Sequence, residues 1–196
     1  MKYKRIAALA LVGSILGGSF LSVAPVAGAD SSVEKVEVRV DGQTIPEGGL
    51  VVDGRTFVSV KQLQDTLRAF LYWDADNKRL YLNKPNINLL LFRDKTPFGK
   101  VEAGNKIQFS VLAQVDSLKT EVDAIKLTIT DPKGKTTQIQ ESALNTKEDN
   151  FWFRSDELRY EFKHKGHYKI QSFMRQKGGE FTLLAEMKLE AVASLK

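Results

Sequence analysis

Two histidines, His164 and His167, stand three residues apart near a turn, and they are the chain's only imidazoles. At that spacing they could hold a metal, but a transition-metal site needs three or four donors of His, Cys or carboxylate type. Glu161 is the one carboxylate between Tyr160 and Tyr168, and Lys163 and Lys165 flank His164, so a cation there would be repelled. Nucleophilic catalysis needs a base beside the nucleophile. The chain has no cysteine and no Gly-x-Ser-x-Gly elbow. A Ser-His-Asp set on either histidine, and with it a small extracellular hydrolase, is left open by sequence alone. Asp74, Asp76, Glu148, Asp149, Asp156 and Glu157 fall in turn-like segments. Solvated loop charge accounts for them better than a glycosidase pair, which needs a cleft and a raised pKa. Asp74-x-Asp76-x-Lys78 lacks the glycine and the distal glutamate of a calcium loop. No catalytic, cofactor-binding or metal-ligating residue is assigned, and no cofactor is expected.

The positive signal for binding is aromatic. In Phe151-Trp152-Phe153, the two-residue period of a strand sends Trp152 to the face opposite its neighbours. If the phenylalanines are core, Trp152 is exposed and could stack on a sugar ring or an apolar patch of a partner. If Trp152 is core, it is the central tryptophan of a sandwich, the placement that fold favours. Tyr160, alternating with Phe162 around Glu161, is the second candidate partner-binding residue.

The frame around these residues begins with an export signal over residues 1–29. Lys2, Lys4 and Arg5 precede the uncharged stretch Ile6 to Phe20, and Ala27-Gly28-Ala29 offers small side chains to a signal peptidase. The apolar run is short for a bilayer, which takes about 20 residues, and Pro25 weakens it further as a permanent span. The membrane is therefore expected as a partner only during export. Three of the 29 basic residues and none of the 24 acidic ones lie in that segment, so the remainder carries +2 rather than +5. No dense basic stripe is left for a nucleic acid, while modest attraction to anionic wall polymers is still expected. Without cysteine there is no disulfide, and an exported chain must rest on hydrophobic cores.

Residues 30–84 read as strand, strand, helix and strand pair. Val36, Val38 and Val40 alternate with Glu37 and Arg39. Asp41-Gly42 and Asp53-Gly54 are turn dipeptides, and Ile45-Pro46 breaks the run between them. Ser59 with Gln62 spells a capping box. Val60, Leu63, Leu67 and Phe70 line one helical face, and Leu71-Tyr72-Trp73 with Leu80-Tyr81-Leu82 flank the polar loop of a hairpin. The string Asp53-Gly54-Arg55-Thr56-Phe57-Val58, with Val40-Asp41-Gly42, Leu63, Leu67, Trp73-Asp74 and Leu80-Tyr81-Leu82, resembles the copper amine oxidase N-terminal-like domain. Such domains are similar to the stalk of those oxidases and occur on secreted proteins of Gram-positive, spore-forming bacteria. The resemblance covers about 50 residues. It implies a ββαββ module with Trp73 buried beneath the helix. It implies no copper, because in that family the metal and quinone belong to a separate catalytic domain. Ser59 stands where the family usually has proline. Arg68 stands where it usually has glycine, so the helix is expected to end differently or later.

Residues 85–97 read as a connector interrupted by the apolar stretch Ile87 to Phe92, which packs on one module or opens the next. From 98 to 196 the pattern is all-β. Ile107, Phe109 and Val111 alternate with polar residues, as do Ile125, Leu127 and Ile129, and Asp131-Pro132-Lys133-Gly134 fits a type I turn. About seven strands with frequent turns suggest an immunoglobulin-like antiparallel β-sandwich, and the Gly166-His167-Tyr168 entry resembles the penultimate strand of bacterial immunoglobulin-like domains. The sequence thus predicts a mainly β protein with one helix. It reads as a secreted, non-catalytic cell-envelope binding or scaffolding protein. Its partner would be a cell-wall polymer, an envelope protein or itself. The rival reading is a secreted regulator that docks on an exported enzyme or receptor.

Overall fold

The computed structural model describes residues 33–40, 42–144 and 148–195. The expected export signal and Asp41 lie outside the described residues. Among the described residues, no helix is long and apolar enough to cross a membrane.

The chain is mainly β with a single short helix. Strands β1 (Glu34–Val40), β2 (Gln43–Val52) and β3 (Arg55–Val58) form an antiparallel sheet in that order. The β2–β3 turn is Asp53-Gly54, with φ of 50° and 71°. Two successive positive φ values match the right-handed twist of the strands they join. Pro46 does not end β2; the register shifts between Val36 and Val38, and Glu47 takes a φ of 51°. A bulge there absorbs the residue that cannot donate to the ladder.

Helix α1 (Val60–Leu67) starts at Ser59, but the Ser59 side chain makes no capping bond. The expected capping box does not form. The Ser59 N–H instead donates to the Gly48 carbonyl at 3.0 Å, which ties the helix start to β2. The helix ends at Arg68, which adopts the left-handed conformation (φ 53°, ψ 59°) that glycine usually supplies. Phe70 therefore lies beyond the helix. It opens β4 (Phe70–Asp74), which pairs with β5 (Arg79–Asn83) as a two-stranded hairpin separate from the first sheet.

Two five-stranded sheets make up the rest. One has the order β12 (Phe151–Arg154), β9 (Lys106–Asp116), β6 (Asn86–Arg93), β7 (Thr96–Phe98), with β13 (Leu158–Glu161) also on β9. The other runs β11 (Thr136–Ala143), β10 (Val122–Thr130), β14 (Gly166–Gln176), β15 (Phe181–Val192), β8 (Lys100–Glu102), with β8 parallel to β15. The expected connector is thus largely strand: β6 pairs with β9 from Asn86↔Asp116 to Phe92↔Ser110. Its alternation puts Leu89 and Leu91 in the core and Leu90 outside, and burying those leucines against β9 outweighs leaving the stretch free.

The sheets share one core. Val111, Ala113 and Val115 of β9 meet Ile125, Leu127 and Ile129 of β10, with Ile170, Met174 and Leu189 beside them. Phe109, Phe162 and Tyr168 fill one end, their rings 5.0–5.9 Å apart in sequence of contact. Phe70 of the hairpin joins the same cluster at 1% exposure. The β4–β5 hairpin is therefore anchored on this shared core.

Candidate binding surface

Period two decides which aromatics of β12 face water. Phe151 opposes Val115 and Phe153 opposes Ala113, both buried core residues. The phenylalanines pack inward and Trp152 is 70% exposed. The core placement that the sandwich pattern favoured for Trp152 is not the one adopted. The reason is register: β9 offers its apolar odd-numbered residues to the core, and these oppose the odd-numbered residues of β12.

Trp152 lies in a row with Gln114 of β9 and Asn88 of β6. The next row is Arg154, Leu112 and Leu90, and beyond it Ser110 opposes Phe92. Cross-strand neighbours of this kind share one face with Cβ atoms about 5 Å apart. The result is an open surface with an indole, two primary amides and two leucines. Its polar side chains are partly engaged. The Arg154 guanidinium donates to Ser110 Oγ at 3.0 Å and to the Asp94 carbonyl at 2.9 Å, and lies 5.2 Å over the Phe92 ring. Gln114 Nε2 donates to Asp116 Oδ2 at 3.1 Å.

Tyr160 does not belong to this surface. It opposes Ile107, seven residues along β9 from Gln114, a separation of about 23 Å at the rise of a strand. It also points inward, edge-on to Phe162 at 5.0 Å and to Tyr168 at 6.2 Å. Burial, then the neighbouring Tyr168, pushes its phenol above the ordinary range. The two residues singled out from sequence are therefore not brought together.

The histidines are also placed. His164 is half-buried and its backbone is clasped by Tyr168: His164 N–H donates to the Tyr168 Oη at 3.0 Å, and that hydroxyl donates back to the His164 carbonyl at 3.1 Å. His167 is exposed opposite Glu190. Among the described residues, no group of three His, Asp or Glu side chains is arranged to hold a metal ion. Asp74 closes the hairpin loop, accepting from the Asn77 side chain at 2.9 Å and the Asn77 N–H at 3.1 Å. These bonds hold its carboxyl below the usual aspartate range.

Trp73 differs from expectation. It is 55% exposed rather than covered by α1. Phe70 turns into the sandwich core, and period two sends Trp73 to the other face of the hairpin, with Leu80 opposite. Sequence reasoning found Trp152 through its phenylalanine neighbours but missed the amides beside it. Their signal lies in the β6–β9–β12 register, which no local pattern carries. No family model matches the chain, and no curated protein is detectably similar to it in sequence.

Proposed function

We propose that this chain is a secreted, non-catalytic binding protein of the cell envelope, and that the Trp152 surface recognises a neutral sugar ring of a wall polysaccharide. The observation that carries the reading is the row Trp152–Gln114–Asn88 on an uncovered sheet face, with Trp152 at 70% exposure. An indole offers a flat apolar platform to the C–H face of a pyranose, and amides can exchange hydrogen bonds with its hydroxyls. Trp152, Gln114 and Asn88 are themselves uncharged, so the row carries no charge of its own that would select an acidic sugar.

The sandwich as an immunoglobulin-like domain is part of the same proposal. The order β11-β10-β14-β15 opposite β6 and β9 supports it, as does the corner in which Tyr168, near the start of β14, bonds the backbone four residues upstream. The stalk-domain resemblance of residues 34–84 adds that the N-terminal segment positions the sandwich on a larger assembly. The alternative of docking on an exported protein draws its support from the hairpin, where Tyr72, Trp73 and Tyr81 are 59%, 55% and 48% exposed.

The deciding experiment is co-sedimentation of the purified protein with isolated wall polysaccharide. Retention that Trp152→Ala lowers tenfold or more is expected. Absence of wild-type retention, or retention indifferent to Trp152→Ala, rejects the assignment. Crosslinking of the wild type to an exported protein, lost on substituting Tyr72 and Trp73, would favour the docking alternative.

A further inference from the structure

A cleft of about 600 Å³ lies where the C-terminal turn of α1 meets β14, β15 and the start of β6. Its size and its place between two packed units are those of a ligand site. Three cationic side chains line it from three parts of the chain: Arg68 at the helix end, Lys84 just before β6, and Lys169 on β14. Asp65 and Glu186 are the carboxylates of the same lining. Glu186 is already spoken for, because Gln171 Nε2 donates to it at 3.0 Å and Arg68 lies 3.6 Å away. Lys84 and Lys169 form no ion pair among the described residues, and the cleft keeps a positive balance.

Arg68 supplies a second observation. It occupies left-handed backbone at a position where a β-carbon is strained and glycine is the usual choice. Strain of this kind persists where the surrounding structure holds it in place. Yet the hold of Arg68 on Glu186 is loose, with Nη1 3.5 Å from the carbonyl oxygen and Nη2 3.6 Å from the carboxylate. A guanidinium has five donors, and these two long contacts leave most of them for something else.

We infer that this cleft is a phosphoryl-anion site, with Lys84, Lys169 and Arg68 as its cations. Two lysine point charges and a guanidinium fork suit an anion with several oxygens disposed around one centre. A planar carboxylate would satisfy the guanidinium and leave the lysines unused. The ligand could come as a free phosphorylated compound or as the phosphodiester of a polymer; both present the same oxygens.

The test is calorimetric titration of the full purified chain with inorganic pyrophosphate, with poly(glycerol phosphate) and with succinate. Saturable binding of a phosphoryl probe is expected, weakening as salt is raised and falling tenfold or more in Lys84→Gln/Lys169→Gln. Preference for pyrophosphate identifies a free ligand, and preference for the polymer identifies a phosphodiester chain. Lys133→Gln/Lys177→Gln removes equal charge elsewhere on the surface and should change nothing. Both lysines of the cleft are exposed, so the double variant should melt with the wild type. The site is refuted if neither phosphoryl probe binds, if succinate binds as tightly as pyrophosphate, or if the remote pair matters as much as the cleft pair. Trp152→Ala must leave phosphoryl binding intact. Absence of wall-polysaccharide retention by the wild type, together with preserved pyrophosphate binding, would strike the Trp152 assignment alone.

Discussion

Arg68 and Glu186 span the junction between the short helix and the sandwich, with Nη2 of one 3.6 Å from Oε1 of the other. Charge-assisted contacts usually close to about 2.7–2.9 Å. This one orients the helix end more than it stabilises it. Its counterpart on the apolar side is Phe70, two residues on, which is 1% exposed in the sandwich core. Phe70 provides the adhesion and Arg68 the angle.

Arg68 can be separated into backbone and side-chain parts. Arg68→Ala should destabilise by about 1 kcal/mol more than Arg68→Gly, because both lose the guanidinium but only alanine keeps the left-handed strain. Chemical denaturation of the two variants measures the difference. A double-mutant cycle with Glu186→Gln should give a coupling of no more than about 1 kcal/mol for a partly exposed pair.

Neighbours on β12 should respond oppositely. Trp152→Ala alters an exposed side chain and should shift stability by no more than about 0.5 kcal/mol. Phe153→Ala opens space beside Ala113 and should cost about 2 kcal/mol, less than for a fully buried phenylalanine. Thermal melts of the pair distinguish a binding residue from a packing one.

Tyr168→Phe removes the hydroxyl that serves both the N–H and the carbonyl of His164. Leaving part-buried backbone groups without that partner should cost about 1–3 kcal/mol. The sandwich should survive with a lower melting temperature, and amide exchange should rise first at His164.

The same tyrosine implies an alkaline limit. Burial, opposed in part by the His164 backbone bond, raises the Tyr168 phenol; burial, then Tyr168 itself, raises Tyr160. The unfolded chain then loses its tyrosine protons at lower pH than the folded one. This contribution to stability is complete below the ordinary tyrosine pKa near 10 and declines as pH climbs through the raised folded values. Denaturation midpoints across that range should fall more steeply for the wild type than for Tyr168→Phe.

Asp74 behaves in the opposite sense. Asn77, through its side chain and then its N–H, holds the carboxyl below the aspartate range. Its contribution is present above the ordinary aspartate pKa and is lost as pH drops through the lowered value. Asn77→Ala should move the Asp74 titration, followed by NMR, part of the way back toward that of a free aspartate, because the backbone N–H at position 77 remains.

Much of the frame was legible in the residues. Alternation located the strands around Val36, Phe109, Ile125 and Tyr168, and the Asp53-Gly54 dipeptide marked a hairpin that the φ values explain. The Asp131 turn forms as read, with Gly134 N–H donating to the Asp131 carbonyl at 2.9 Å. These features are local: a period, a dipeptide or a capping position depends on residues a few apart. The capping box at Ser59 failed because a distant acceptor, Gly48, captured the backbone donor at the helix start.

By itself, then, the sequence determined a mainly β chain with one short amphipathic helix, no cysteine, and an aromatic triplet whose members must face opposite ways. Only the tertiary structure decided which way. The pairing of β12 with β9 turned Trp152 outward beside Gln114 and Asn88, Phe70 carried the hairpin onto the sandwich, and the meeting of α1 with β14 and β15 drew Arg68, Lys84 and Lys169 around one cleft. Strand register and the docking of separate elements are long-range choices, settled by burial summed over the whole core, and no window of neighbouring residues contains that sum.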